Sequence, residues 1–186
     1  VFLANRVLGG FFSSRLNLNL REDKGYTYGA RSLTWERKGP SCFVMNARVQ
    51  TEVTAEALTE FLGELEGIAG DRPVTAQELE FARGSILGGY SRDFETVGQL
   101  AAAVTEQVVY GLPDDNFARY PERIRAVDLD TLNRTAASRF NPDDIAIIVV
   151  GDLAKIEDPI RALDLGPIRY ADRNGVVRAE QELSSR

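Results

Sequence analysis

Apolar and polar positions recur along this chain with two different periods, and each change of period marks an element. From Val1 to Leu20, Leu3, Val7, Leu8, Phe11 and Phe12 fall near helical spacing, which predicts a helix already under way at the first residue. Gly9-Gly10 interrupts it, and a glycine in a helix interior costs about 1 kcal/mol relative to alanine. The pair reads either as a kink between two helices or as a close backbone approach where no side chain fits. From Tyr26 the period falls to two. Tyr26 to Arg37 and Cys42 to Gln50 read as strands of a hairpin, with Lys38-Gly39-Pro40-Ser41 as the turn. Phe43, Met45, Ala47 and Val49 share one face, which should lie on the core; Asn46 and Arg48 share the opposite, wet face. In the first strand Leu33 and Trp35 point one way, and Tyr28, Ser32 and Thr34 the other. If the polar rows share a side, that side lines a wet chamber.

The period then lengthens again. Thr54 to Ala69 carries Ala57, Leu58, Phe61, Leu62 and Leu65 as an apolar stripe, and Asp71-Arg72-Pro73 breaks it. Thr75-x-x-Glu78 has the form of a capping box and opens a helix to about Arg92. A further helix from about Thr96 ends at Gly111-Leu112-Pro113. Phe117 to Val127 reads as a short helix, and Asp128 or Asp130 caps another that stops at Asn141-Pro142. Ile145 to Val150 is an unbroken, mostly β-branched run, read as a strand buried on both faces. A short helix to about Leu163, a strand at Ile168 to Tyr170 and a polar tail over residues 171–186 follow. A hairpin, then helices, then a late strand indicate an α+β fold: one mixed, largely antiparallel sheet with helices packed on one face.

Composition narrows the chemistry. The 186 residues are 44% hydrophobic and 27% charged, enough for a sizeable core, with a net charge of −6 that does not favour nucleic acid. No run is long and apolar enough for a membrane span. Cys42 stands alone, which rules out an internal disulfide, and reads as a small buried or half-buried side chain. The chain has no His, which removes the commonest general base, the usual zinc ligand and every Ser–His or Cys–His nucleophile pair. The acidic strings Asp114-Asp115, Asp143-Asp144 and Asp172-Arg-Asn174-Gly175 read as caps and turns. Gly88-Gly89 lacks the context of a phosphate loop.

One segment stands apart. Leu20-Arg-Glu-Asp-Lys-Gly-Tyr-Thr-Tyr28-Gly crowds charged and phenolic side chains into the link between helix and strand, where binding residues tend to be placed. On residue types alone it reads sooner as a solvated turn with a weak i to i+3 ion pair. With Leu8-Gly9-Gly10-Phe-Phe-Ser-Ser14-Arg15-Leu16 before it, the segment resembles the second half of M16 (pitrilysin-type) zinc metallopeptidases, closest to the bacterial two-domain or two-subunit branch. Val49-Gln-Thr51, Pro73-Val-Thr75 with Glu78-Leu79, Phe94-Glu-Thr96, Tyr110-Gly-Leu-Pro113 and Val149-Val-Gly-Asp152 agree with it in order. The resemblance spans about residues 3–165 and implies a C-terminal, non-zinc domain over 1–170 that lacks its first strand.

It also implies a division of labour. The first half of such enzymes carries zinc on an H-x-x-E-H helix, and the second contributes an Arg–Tyr pair, matched here by Arg21 and Tyr28, with Tyr26 as competitor for the phenolic role. The expectation is a substrate-positioning, catalytically incomplete half of a zinc endopeptidase: no cofactor in this chain, Zn2+ in a homologous partner half on the same polypeptide or a separate subunit, and an extended peptide as substrate. Arg21 stays cationic at physiological pH and the Tyr28 phenol can donate, so both could stabilise an oxyanion or substrate carbonyl. The alternative is a non-catalytic scaffolding member of the same family, like the core proteins of respiratory complexes. With no His and one Cys, the purified protein is expected to hold no stoichiometric zinc; elemental analysis finding one tightly bound zinc per chain would overturn this.

Overall fold

The computed structural model describes residues 1–172 and 174–178. In chain order the elements are α1 (Phe2–Leu8), a single turn α2 (Arg15–Asn17) running into a π-helical turn (Leu18–Asp23), β1 (Thr27–Trp35) and β2 (Cys42–Val49). After a 3-10 turn at Thr51–Val53 come α3 (Thr54–Ala69) and α4 (Ala76–Gly89). A second 3-10 turn (Tyr90–Phe94), α5 (Val97–Tyr110), α6 (Asn116–Ala126), α7 (Leu129–Arg139) and α8 (Leu153–Arg161) follow, then β3 (Tyr170–Ala171) and β4 (Val177–Arg178). The local signals account for most helix ends. Thr75 with Glu78 and Thr96 with Gln99 form complete capping boxes, Asp128 accepts from Thr131 N, and Gly111 closes α5 in the left-handed conformation at φ 63°.

The architecture is α+β: a small antiparallel sheet of β1 and β2 with helices packed around it, and a minimal β3–β4 hairpin. Ser32 pairs with Met45 and Thr34 with Phe43, so Phe43, Met45 and Ala47 sit on the core side as expected. The inward row of β1 differs from the sequence reading. Ala30 and Ser32 are buried while Trp35 is 50% exposed. Ser32 is tolerated inside because its hydroxyl donates to buried Asn5 Oδ1 at 2.6 Å, which removes the cost of an unpaired buried polar group. The outward row of β1 is therefore Arg31, Leu33 and Trp35, opposite Asn46, Val44 and Cys42, and Cys42 is exposed rather than buried.

The two glycines of the first segment are a close approach. The carbonyl of Gly9 accepts from Ser32 N at 2.9 Å, and Asn17 Oδ1 accepts from Ala30 N at 2.9 Å. The β1 edge away from β2 thus has its donors taken by a loop and a side chain, which blunts a strand edge that could otherwise recruit another chain. A Cβ on Gly9 would lie 2.5 Å from Ser32 Oγ, 2.6 Å from Ser32 N and 2.7 Å from Leu16 Cδ1. Gly9 has φ −159°, open to any residue, so the requirement is purely steric. The break also takes Phe11 and Phe12 out of the helix, and Phe12 is 61% exposed instead of continuing the apolar stripe.

The core is built from Leu3, Leu8, Leu16 and Leu20 against Leu65 and Ile68 of α3, Leu79 and Ile86 of α4, and Leu132, Ala136 and Phe140 at α7. Phe43 stacks on Phe140 with ring centroids 4.5 Å apart, joining hairpin and α7. Ile145–Val150, expected as a doubly buried strand, belongs to no strand; Ile148 is 87% and Val150 94% exposed. A β-branched run becomes a strand only beside a partner ladder, and among the described residues it pairs with none. The polar tail expected over 171–186 falls partly in the β3–β4 hairpin; residues 173 and 179–186 lie outside the described residues. No described helix is long and apolar enough to cross a membrane.

Gly9→Ala should lower stability by about 1–3 kcal/mol, the range for forcing atoms into a filled site. Gly39→Ala, where nothing lies within 4 Å, should leave it unchanged or slightly raised, and paired thermal or urea melts compare the two.

Candidate functional site

Arg21 sits on the π-helical turn Leu18–Asp23, where Lys24 N reaches back five residues to Asn19 O at 3.0 Å. Insertions of this kind are uncommon and recur at functional sites. Gly25, at φ 65°, then turns the chain into β1. Three groups hold the turn in place. Leu20 is fully buried; Asn19 Nδ2 donates to Glu60 Oε2 (2.9 Å) and Glu64 Oε1 (2.8 Å) of α3; Lys24 Nζ lies 3.1 Å from Glu60 Oε1. With its neighbours anchored, Arg21 is left at the surface with its side chain one-third exposed. Its guanidinium carbon lies 4.4 Å from the centroid of the Phe12 ring, and its Nε lies 3.5 Å from Glu22 Oε1.

Tyr28 occupies a β-bulge. The β1–β2 register is regular from Ala30 to Trp35 but shifts between Thr27 and Ala30, and Tyr28 and Gly29 fall in the shift. Thr27 Oγ1 donates to Arg48 O at 2.6 Å and accepts from Gly29 N at 3.1 Å, bracing the irregular step. A bulge changes the aim of its side chains, and here it takes Tyr28 off the inward row of Ala30 and Ser32. Tyr28 is 99% exposed. Tyr26 is partly buried and packs against the core, with its backbone pinned by Leu20 O and Gln50 N. The two phenols that the sequence leaves in competition are thus in different environments: one free in solvent, one in contact with the core. Among the described residues no hydrogen bond joins Arg21 to Tyr28.

The sequence reading passed over the interaction that fixes this region. Arg15, at the start of α2, makes a two-pronged pair with Glu78, Nε to Oε1 at 2.7 Å and Nη2 to Oε2 at 2.8 Å. It also donates to the carbonyls of Arg72 (2.5 Å) and Pro73 (3.0 Å). Glu78 is at the same time the third residue of the α4 capping box. Burial pushes its carboxyl up, but the Arg15 hydrogen bond and the Thr75 N–H and hydroxyl outweigh that and hold it at about 2. A charged cleft runs beside this network, lined by Arg15, Asn19, Lys24, Glu60, Arg72 and Glu78. It includes neither Arg21 nor Tyr28, and its charges are largely spent on one another, so it is a structural seam. The capping-box spacing could have pointed to Glu78; nothing in the spacing of Arg15 names its partner 63 residues away.

Among the described residues, no group of three or more His, Cys, Asp or Glu side chains could hold a metal ion. The donor set does not suit zinc, and no metal chemistry is assigned to this chain. The described residues form an α+β fold that carries Arg21 and Tyr28 at its surface. Residues 2–86 match the family described as the peptidase M16 inactive domain. The fold of the chain is that of a peptidase M16 inactive domain from Pseudomonas fluorescens (20% identity, TM-score 0.70), covering 76% of this chain but only 34% of that one. It is likewise similar to a protease from Helicobacter pylori (21%, 0.68, 76% and 34%) and to an inactive peptidase domain from Bordetella parapertussis (24%, 0.65, 75% of each chain). This chain therefore spans about a third of the length of two of these relatives. No curated protein matches it.

The depressed carboxyl of Glu78 ties stability to acid pH. Its contribution is fully present above the unfolded carboxyl value of about 4.3 and is lost as pH falls towards about 2. Glu78→Ala should cost about 2 kcal/mol near neutral pH through the lost cap and the stranded Arg15, and should flatten the acid limb of the stability curve. Urea melts from pH 6 to pH 2.5 compare the slopes.

Proposed function

We propose that this chain is a non-catalytic half that joins a second, zinc-bearing M16 half to make a two-half assembly. The match to an inactive domain and the lack of a metal-holding cluster among the described residues support that much. Two versions differ in what the half contributes. In the scaffolding version it completes and stabilises the assembly and touches no substrate. The comparisons favour this version, since the matched family is described as inactive.

In the positioning version, Arg21 and Tyr28 contact a peptide held between the halves. One observation favours it: both side chains are carried on local irregularities, a π-turn and a bulge, that cost regular hydrogen bonding and leave a guanidinium and a phenol facing outward. Arg21 would supply a permanent positive charge and Tyr28 a neutral donor to a substrate carbonyl, while metal and base come from the other half.

Reconstitution with an H-x-x-E-H-bearing half separates the versions. On the positioning reading, Arg21→Ala and Tyr28→Phe each lower kcat/KM by about 10²-fold or more with assembly and melting temperature unchanged. Normal kinetics in both variants would leave the scaffold. Failure of any zinc-bearing half to associate would remove the shared proposal.

A further inference from the structure

Phe12 lies on the loop between α1 and α2 and is 61% exposed, so its burial contributes little to the core. Its neighbour Phe11 is used differently, packing edge-on against Phe81 at 5.6 Å between ring centroids. The loop that presents Phe12 is closely held. Gly9 is locked to Ser32, Gly10 N donates to Asn5 O at 2.7 Å, and the carbonyl of Phe11 accepts from both Ser14 N and Asn17 Nδ2 at 3.2 Å. Such constraint on an exposed aromatic needs a use, and the Arg21 guanidinium lies 4.4 Å from the ring centroid. The other partner of Arg21, Glu22, is 3.5 Å away with a side chain 55% exposed, a pair too solvated to fix a long side chain.

We propose that Phe12 is a positioning residue for Arg21: its ring takes the face of the guanidinium, restricts its rotamers and leaves its N–H groups pointing outward for a peptide carbonyl. A cation over an aromatic face keeps its in-plane donors free, which a carboxylate partner in the same place would consume. The glycine pair thereby acquires a second role, since the approach that seals the β1 edge also sets the loop that carries Phe12. The proposal rests on the positioning version of the function.

Two readouts on the whole protein test it. In NMR spectra, the ring current of Phe12 should shift the Arg21 Hδ and Nε–Hε resonances; Phe12→Leu should abolish that shift and Phe12→Tyr keep it, with the melting temperature unchanged. In the assembly with a zinc-bearing half, Phe12→Leu should lower kcat/KM about 2- to 5-fold, the factor carried by an exposed cation–π contact, and Phe12→Tyr should restore it. Arg21 resonances that do not respond to Phe12→Leu overturn the contact, whatever the protein's function. Responding resonances with full turnover in Phe12→Leu, where Arg21→Ala is impaired, overturn the positioning role. Full turnover in Arg21→Ala overturns the functional reading itself and any positioning role with it, while the shifts still decide the contact.

Discussion

The Arg15 guanidinium is the joint on which the first half of the molecule depends. Its two-pronged pair with Glu78 and its bonds to the Arg72 and Pro73 carbonyls tie the start of α2 to the α3–α4 turn and to the first turn of α4. These contacts do three separate jobs. They satisfy main-chain carbonyls where α3 has ended, they orient the carboxylate that caps α4, and they fix the origin of the turn that delivers Arg21. Lysine could not replace arginine here, because a single ammonium cannot span both carboxylate oxygens and reach two carbonyls at once. The pair is half-shielded, which strengthens it relative to a surface ion pair without the full cost of burying two charges.

From that joint the chain runs through two irregularities in quick succession. The π-turn adds a residue to the helix just before Gly25, and the bulge adds one to β1 just after it. Each gives up local regularity, and neighbouring groups supply what is lost: Asn19 and Lys24 anchor the π-turn to α3, and Thr27 braces the bulge. Irregularities so well supported are not slack. They hold Arg21 and Tyr28 at the surface on a backbone packed against Leu16, Leu20 and Ala30.

The helical side of the molecule is less closed. α5 has no buried residue, and Val97, Val104 and Val108 are mostly exposed along it, as are Ile148 and Val150 beyond α7. The capping box and left-handed glycine of α5 define its ends as firmly as those of any other helix, which separates two properties often treated as one. Local signals decide whether and where a helix forms; burial decides whether it is part of the core. The M16 inactive-domain match covers residues 2–86, the same part of the chain where core, caps and hairpin agree most closely.

What the sequence by itself determined are the features set by neighbours in the chain: the α+β class, the helix caps at Thr75, Thr96 and Asp128, the hairpin, the inward face of β2, and, with zero His, the lack of a histidine-based zinc site. The motif around Leu20–Tyr28 also marked where donors collect, though period-two alternation put Tyr28 in one row with Ser32. Only the tertiary structure decided the rest. Gly9 as a seal, Arg15 as the partner of Glu78 and Phe12 as the neighbour of Arg21 are contacts across the fold. Ser32 is inward because Asn5 receives its hydroxyl, and Ile145–Val150 pairs with no strand among the described residues. In each case the deciding energy is a pairing between segments, and spacing along one segment carries no record of which other segment will come to meet it.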